Sequence, residues 1–116
     1  MTRVDARDCR RLWWMTAALA AILGFTATTT FGQDASLAAQ GQRVFNDQGC
    51  YGCHTMGKSG TPIAPDLSFV GAKHSEAYLR RWLMDPQQQK PSAHMPKLEL
   101  SETEARALAA YLASLR

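Results

Sequence analysis

The sequence predicts an all-α domain of three main helices joined by long loops, preceded by an N-terminal export segment. Three observations support this. Apolar residues recur at helical spacing in three stretches beyond residue 35. Glycine and proline crowd the stretches between them, and no run of residues reads as a convincing strand. The first third of the chain also differs from the rest, with a basic start followed by a long uncharged run.

That first third comes first in order. Arg3, Arg7, Arg10 and Arg11 precede an apolar run from Leu12 to Phe25, the pattern of a secretory signal peptide. A cut after Gly32, with Thr30 third before it, divides the chain into a signal segment, 1–32, and a domain, 33–116. An uncleaved anchor is the rival reading. The 22 positions from 12 to 33 carry no charge, and about 20 apolar residues span a bilayer as a helix. Thr16, Gly24, Thr26, Thr28, Thr29 and Thr30 are only weakly apolar, which favours the cleaved signal. An anchor would associate with the membrane through residues 12–31. Either way the arginines stay on the cytoplasmic side and the domain is exported. The Arg10-Arg11 pair lacks the surroundings of a twin-arginine signal.

Charge and cysteine usage agree with export. Residues 33–116 hold nine Lys or Arg against eight Asp or Glu, so the net charge of +3 comes largely from the first segment. Nucleic-acid binding gains no support from that balance. Cys9 precedes the apolar run, which leaves only Cys50 and Cys53 in the domain and no pair for a structural disulfide.

The first helix is expected from about Ser36 to Asn46, with Leu37, Gly41, Val44 and Phe45 on one face. Gly49 then ends it. Cys50-Tyr51-Gly52-Cys53-His54 follows and reads C-x-x-C-H, the attachment signature of c-type haem. On a helical turn, residues three apart share a face, so both thiols can reach the edge of one flat macrocycle and add across its vinyl groups. His54 follows directly and approaches the iron from the same side. A thioredoxin-like dithiol would sit near a βαβ pattern, which is absent. A zinc site would need a second ligand pair, and only His74 and His94 remain. One covalently held haem c per chain also supplies an apolar plate to a domain too small for a large core.

Residues 55–72 carry Gly57, Gly60, Pro62, Pro65 and Gly71 and read as loop. A middle helix is expected from about Ser75 to Met84, with Ser75 as N-cap and the i,i+4 pairs Tyr78–Trp82 and Leu79–Leu83. Asp85-Pro86 stops it. Residues 87–100 form a second loop containing Pro91 and Pro96. The last helix starts at Ser101, where Ser101-Glu102-Thr103-Glu104 makes a capping box. Ala105, Leu108, Leu112 and Leu115 form its apolar stripe. Ala109 and Ala110 keep it thin enough to approach the Gly41 surface of the first helix.

Residues 36–116 resemble the class I cytochromes c in their small bacterial single-haem form. Gly41-x-x-x-Phe45 is similar to that family's N-terminal helix motif, and Leu108-x-x-Tyr111-Leu112 to its C-terminal counterpart. Pro65-Asp66-Leu67 resembles its Gly-Pro-x-Leu segment, with Ala64 in place of the glycine, and Met95-Pro96 its distal methionine loop. The resemblance implies the cytochrome c fold around one haem, with the first and last helices crossing near a right angle. It implies that the Pro65 carbonyl accepts a hydrogen bond from His54. It also implies His54 and Met95 as the two iron ligands.

A separate chemical argument favours Met95, because a soft, neutral thioether stabilises ferrous over ferric iron and raises the potential. His94 is the rival. In an extended loop neighbouring side chains point opposite ways, so one of the two faces the iron. Met84 at a helix end is expected to pack, and Met56 lies too near His54 to cross to the other face. His74 is expected at the surface or as a cap, and Tyr51 as a spacer. Trp82 is either a donor to a haem propionate or a core aromatic. Lys58, Lys73, Lys90 and Lys97 either ring the haem edge to steer an acidic partner or are ordinary solvated surface.

The implied function is one-electron transfer in an exported respiratory or dehydrogenase chain. The domain would be periplasmic, across the bacterial inner membrane or anchored to its outer face. Its partners would be redox proteins, and it would catalyse no reaction of its own. Two other readings stay open: the haem subunit of a larger oxidoreductase complex, and a haem sensor or peroxidase-like protein in which Met95 leaves the iron.

Overall fold

A computed structural model describes residues 30–116. Residues 1–29 of the export segment, and with them most of the stretch 12–31, lie outside the described residues. No helix among the described residues is long and apolar enough to cross a membrane.

The domain is helical, as expected. The first helix, α1, runs Thr30–Asp47 and so starts six residues ahead of Ser36. Nothing between Thr30 and Ser36 breaks a helix outright, and propagation adds a hydrogen bond for each residue fixed. The boundary expected after Gly32 falls in its first turn. The last helix, α5, runs Glu102–Ser114, and its capping box is present as read. The Ser101 hydroxyl accepts from the Glu104 N–H at 3.2 Å, and the Glu104 carboxylate accepts from the Ser101 N–H at 2.8 Å.

α1 and α5 pack closely at Gly41. A Cβ there would lie 2.6 Å from the Ala107 carbonyl carbon and 2.7 Å from the Tyr111 Cβ. The thin spot of α5 is therefore Ala107, not Ala109 or Ala110. Ala107 and Tyr111 lie one turn apart on a shared face, while Ala109 is buried within the main apolar cluster. Phe45 and Leu108 are fully buried beside this crossing.

The middle helix, α3, runs Glu76–Met84 with Ser75 as its cap, and buries Leu79 and Leu83. Two short helices occupy stretches expected as loop. In α4, Pro86–Gln89, Asp85 both ends α3 and accepts from the Gln88 N–H at 3.0 Å, so it caps the next helix. Proline at the first helical position loses no needed donor there. In α2, Val70–Lys73, Gly71 sits against the end of α5 and donates its N–H to the Leu115 carbonyl at 2.9 Å. An otherwise unpaired helix-end carbonyl is thereby satisfied.

Residues 55–72 are not all irregular either. Thr55–Met56 (β1) and Ser59–Gly60 (β2) form a two-residue antiparallel ladder, with Thr55 opposite Gly60. Gly60 takes φ 99° there, and a Cβ would meet the His54 backbone. This hairpin turns the chain back onto the C-x-x-C-H segment, where the Thr61 N–H donates to the Tyr51 carbonyl at 3.0 Å.

Candidate haem-binding site

The attachment motif sits on a tight turn. Gly49 reverses the chain at φ 68°, ψ 31°, a left-handed conformation that side chains disfavour. Cys50–Gly52 then form one 3₁₀ turn. The Cys50 carbonyl accepts from the Cys53 N–H at 3.2 Å and from the His54 N–H at 2.9 Å. Residues three apart eclipse in a 3₁₀ turn, and both cysteines border the same cleft. Both thiols are free, Cys50 half-buried and Cys53 exposed. Burial pushes the Cys50 thiol above its usual value; a hydrogen bond to its own backbone opposes the rise and the neighbouring Cys53 adds to it.

His54 is fixed from behind. Its Nδ1 lies 2.7 Å from the Pro65 carbonyl oxygen. A carbonyl only accepts, so Nδ1 carries a proton here and Nε2 is the ring nitrogen left to meet a metal. The Pro65 loop hangs from the motif itself, because the Cys53 carbonyl accepts from Ile63 N–H at 3.2 Å and Ala64 N–H at 2.8 Å. Ala64 adopts this turn without a positive φ, so the missing glycine leaves the contact intact. Asp66 continues the loop by accepting from the Ser68 N–H at 2.6 Å, and the Ser68 hydroxyl accepts from Gly57 N–H at 2.7 Å. Hydrogen bonds from Ser68, side chain first and then backbone, hold the Asp66 carboxyl below the usual range, helped by Thr55 and Lys73. The pattern Asp-x-Ser is a recognisable turn signal, yet only the fold ties it to the hairpin.

Met95 borders the same cleft, on the loop between α4 and α5. It is half-buried, while the neighbouring His94 is exposed; both border the cleft. The Trp82 indole N–H donates to the Met95 sulfur at 3.2 Å. Trp82 borders the cleft, and its single donor is directed at this sulfur. Tyr78 stacks on Trp82 with ring centres 6.1 Å apart, and His74 on Tyr78 at 4.6 Å.

The other expected positions are resolved individually. Tyr51 is more than a spacer: its ring meets Phe45 edge-on at 5.0 Å. Met56 packs beneath the crossing, its sulfur accepting from the Tyr111 hydroxyl at 3.4 Å. Met84 packs against the core. Lys73 and Lys90 border the cleft, Lys58 lies exposed in the hairpin turn, and Lys97 pairs with Asp85 at 3.3 Å.

The cleft has a volume of about 710 Å³, within the usual range for a cofactor pocket. Phe45, Leu79, Leu83, Leu108 and Leu112 supply apolar walls. Two thiols, an imidazole and a thioether border one apolar slot, and this donor set suits a covalently held haem.

Fold and site together define a small helical protein that holds one haem c and transfers electrons through it. The chain belongs to the cytochrome c family, whose profile matches residues 38–116. It is also similar to cytochrome c oxidase subunit 2 of Alkalihalophilus pseudofirmus, 36% identical over 90 residues, covering 70% of this chain and 26% of that one. A second relative, cytochrome c oxidase subunit 2 of Bacillus sp. strain PS3, is 32% identical over 99 residues, covering 69% of this chain and 26% of that one. The chain thus spans about a quarter of the length of these curated relatives.

Proposed function

We propose that this chain passes single electrons between exported redox proteins of a respiratory chain, with His54 and Met95 as the side chains that would hold its haem iron. The observation that carries the ligand assignment is the placement of both groups on one apolar cleft, with the His54 Nδ1 proton held by Pro65. When bound, haem c supplies a one-electron ferric/ferrous couple. The chain does the rest. Cys50 and Cys53 anchor the group, Pro65 orients the imidazole, and Met95 favours the reduced state. With both side chains bound to it, the iron would have no position for oxygen or peroxide, which favours a carrier over a catalyst. Residues 1–32 serve as a signal peptide or an uncleaved anchor, and residues 33–116 work in the periplasm.

The weak near-red charge-transfer band of ferric methionine ligation tests this. Its presence in the oxidised holoprotein supports the carrier. A low-spin spectrum without it points to another strong ligand, His94 first. A high-spin spectrum, with carbon monoxide binding to the ferrous form at neutral pH, would favour the sensor or peroxidase-like reading.

A second reading makes the chain the haem subunit of a respiratory oxidase. It rests on the similarity to two oxidase subunits. Size fractionation of detergent-solubilised membranes separates the two versions. Haem c that migrates with oxidase activity supports the subunit, and haem c that migrates alone supports the free carrier.

A further inference from the structure

We propose that Met56, Tyr51 and Tyr111 form a peroxide-reactive site, at which the Met56 thioether takes an oxygen atom from a hydroperoxide and the two phenols guide its addition. None of the three borders the haem cleft. Two hydroxyls converge on one sulfur there. The Tyr111 hydroxyl donates to the Met56 sulfur at 3.4 Å, and the Tyr51 hydroxyl faces the same atom at 4.0 Å. All three side chains are half-buried, beside the exposed turn of the hairpin.

The arrangement is held from both sides. The fully buried Phe45 ring meets Tyr51 edge-on at 5.0 Å and Tyr111 at 5.8 Å. Met56 is fixed by its backbone, which pairs with Ser59 in the hairpin. Burial first, and then the neighbouring Tyr51, push the Tyr111 phenol above its usual value, so it stays a protonated donor at neutral pH.

The sulfur attacks one oxygen of the hydroperoxide with a lone pair, and an S–O bond forms as the O–O bond breaks. Sulfur loses two electrons and the peroxide gains them. The proton of the transferred oxygen passes to the departing one, which leaves as water or an alcohol. The thioether becomes a polar, chiral sulfoxide. Tyr111 covers one lone pair of the sulfur, so oxygen adds at the other and one epimer forms. The Tyr51 hydroxyl stands further off. It has room to donate to the departing oxygen and then to the sulfoxide oxygen, a better acceptor than the weakly accepting thioether. Met84 is also half-buried, but it packs against the apolar core without such donors among the described residues. At Met95 the Trp82 N–H already holds the sulfur.

The test treats the ferric holoprotein with dilute hydrogen peroxide, stops the reaction early and maps sulfoxide on peptides by mass spectrometry. The two methionine sulfoxide reductases, each specific for one epimer, then read the configuration at Met56. Met56 should be oxidised ahead of Met84 and Met95, and as one predominant epimer. Y51F should slow that oxidation about fivefold, the rate equivalent of one ordinary hydrogen bond lost. Y111F should give both epimers. Phenylalanine keeps the ring contacts with Phe45 in both variants. Met84 oxidised first, or an equal epimer mixture in the parent protein, overturns the proposal without any variant. Y51F reacting at the parent rate also overturns it, because exposure alone then decides the reaction.

Discussion

Replacing Gly41 with alanine tests the helix crossing on which the site is built. Carbon atoms pack best about 3.5–4.0 Å apart, whereas the new Cβ would lie 2.6 Å from the Ala107 carbonyl carbon and 2.7 Å from the Tyr111 Cβ. Backbone cannot swing aside, so α1 and α5 must separate by about 1 Å. A gap of that size forfeits roughly a quarter to a half of each contact well, and a buried side chain makes some 40–60 contacts of about 0.1–0.2 kcal/mol. For Phe45, which is 1% exposed beside the crossing, the loss is about 1–6 kcal/mol, and the Tyr111 ring, 5.8 Å from that of Phe45 between centres, adds to it. Alanine returns about 1 kcal/mol in helix propensity. The net expectation is a loss of at least about 1 kcal/mol and up to about 5, or a fall in Tm of at least about 4–8 °C for a domain this small. Thermal melts of the ferric holoprotein followed by far-ultraviolet circular dichroism give the number. A Tm within about 4 °C of the parent would refute the close-crossing argument.

Removing the cofactor anchor should unfold the domain. C50A/C53A leaves the 710 Å³ cleft unfilled, and at about 24 cal/mol per Å³ the upper cost is roughly 17 kcal/mol. Solvent entering the open cleft reduces that, but even half rivals a typical total stability of about 5–15 kcal/mol; a cooperative melt in the variant would contradict this. Acid should destabilise the protein through three carboxylates held below their usual range. These are Asp66 by Ser68, Asp85 by the Gln88 N–H and Lys97, and Glu104 by Ser101. Their folded values are depressed, so their contribution is present above about pH 4 and lost as pH falls through the folded values. Denaturant midpoints between pH 6 and 2 should therefore fall less steeply in D66N/D85N/E104Q than in the parent. S101A removes the acceptor for the Glu104 N–H and should cost about 1 kcal/mol, read as a lower urea midpoint at unchanged slope.

Residues that act through local spacing were legible in the chain. Ser75 and Ser101 cap their helices where their sequence context places them, because capping depends on a contact three residues away. Leu79, Leu83, Leu108 and Leu112 are buried as their periodicity requires. What the sequence hid are contacts between distant segments. The Gly41 surface meets Ala107 rather than Ala109 or Ala110, because rotation of α5 about its axis depends on everything packed around it. Tyr51 belongs to the aromatic cluster under the crossing, which no feature of the motif announces. α2 and α4 are too short to show periodicity and exist because Gly71 and Asp85 find particular partners. The Trp82–Met95 contact joins residues 13 apart across a loop, and nothing in either residue's neighbourhood indicates it.

That hidden contact changes how the site is understood. On the proposed ligation, the two axial ligands are each gripped by a hydrogen bond of opposite electronic sense. The Pro65 carbonyl accepts from the His54 Nδ1–H, which makes the imidazole more basic and favours ferric iron. The Trp82 N–H donates to the Met95 sulfur, which makes the thioether less basic and favours ferrous iron. The first grip is built from the loop hung on Cys53, and the second from Tyr78 and Trp82 stacked on α3, with His74, just before that helix, stacked on Tyr78. The hydrogen bonds of the first grip and the ring contacts of the second have no residue in common, so a substitution on one side should shift the potential with little effect on the ligand of the other. Changes at Asp66 or Ser68 should therefore move the potential through His54 alone, and changes at Tyr78 through Met95 alone. Double variants across the cleft should be additive in potential to within a few tenths of a kcal/mol, as independent sites are.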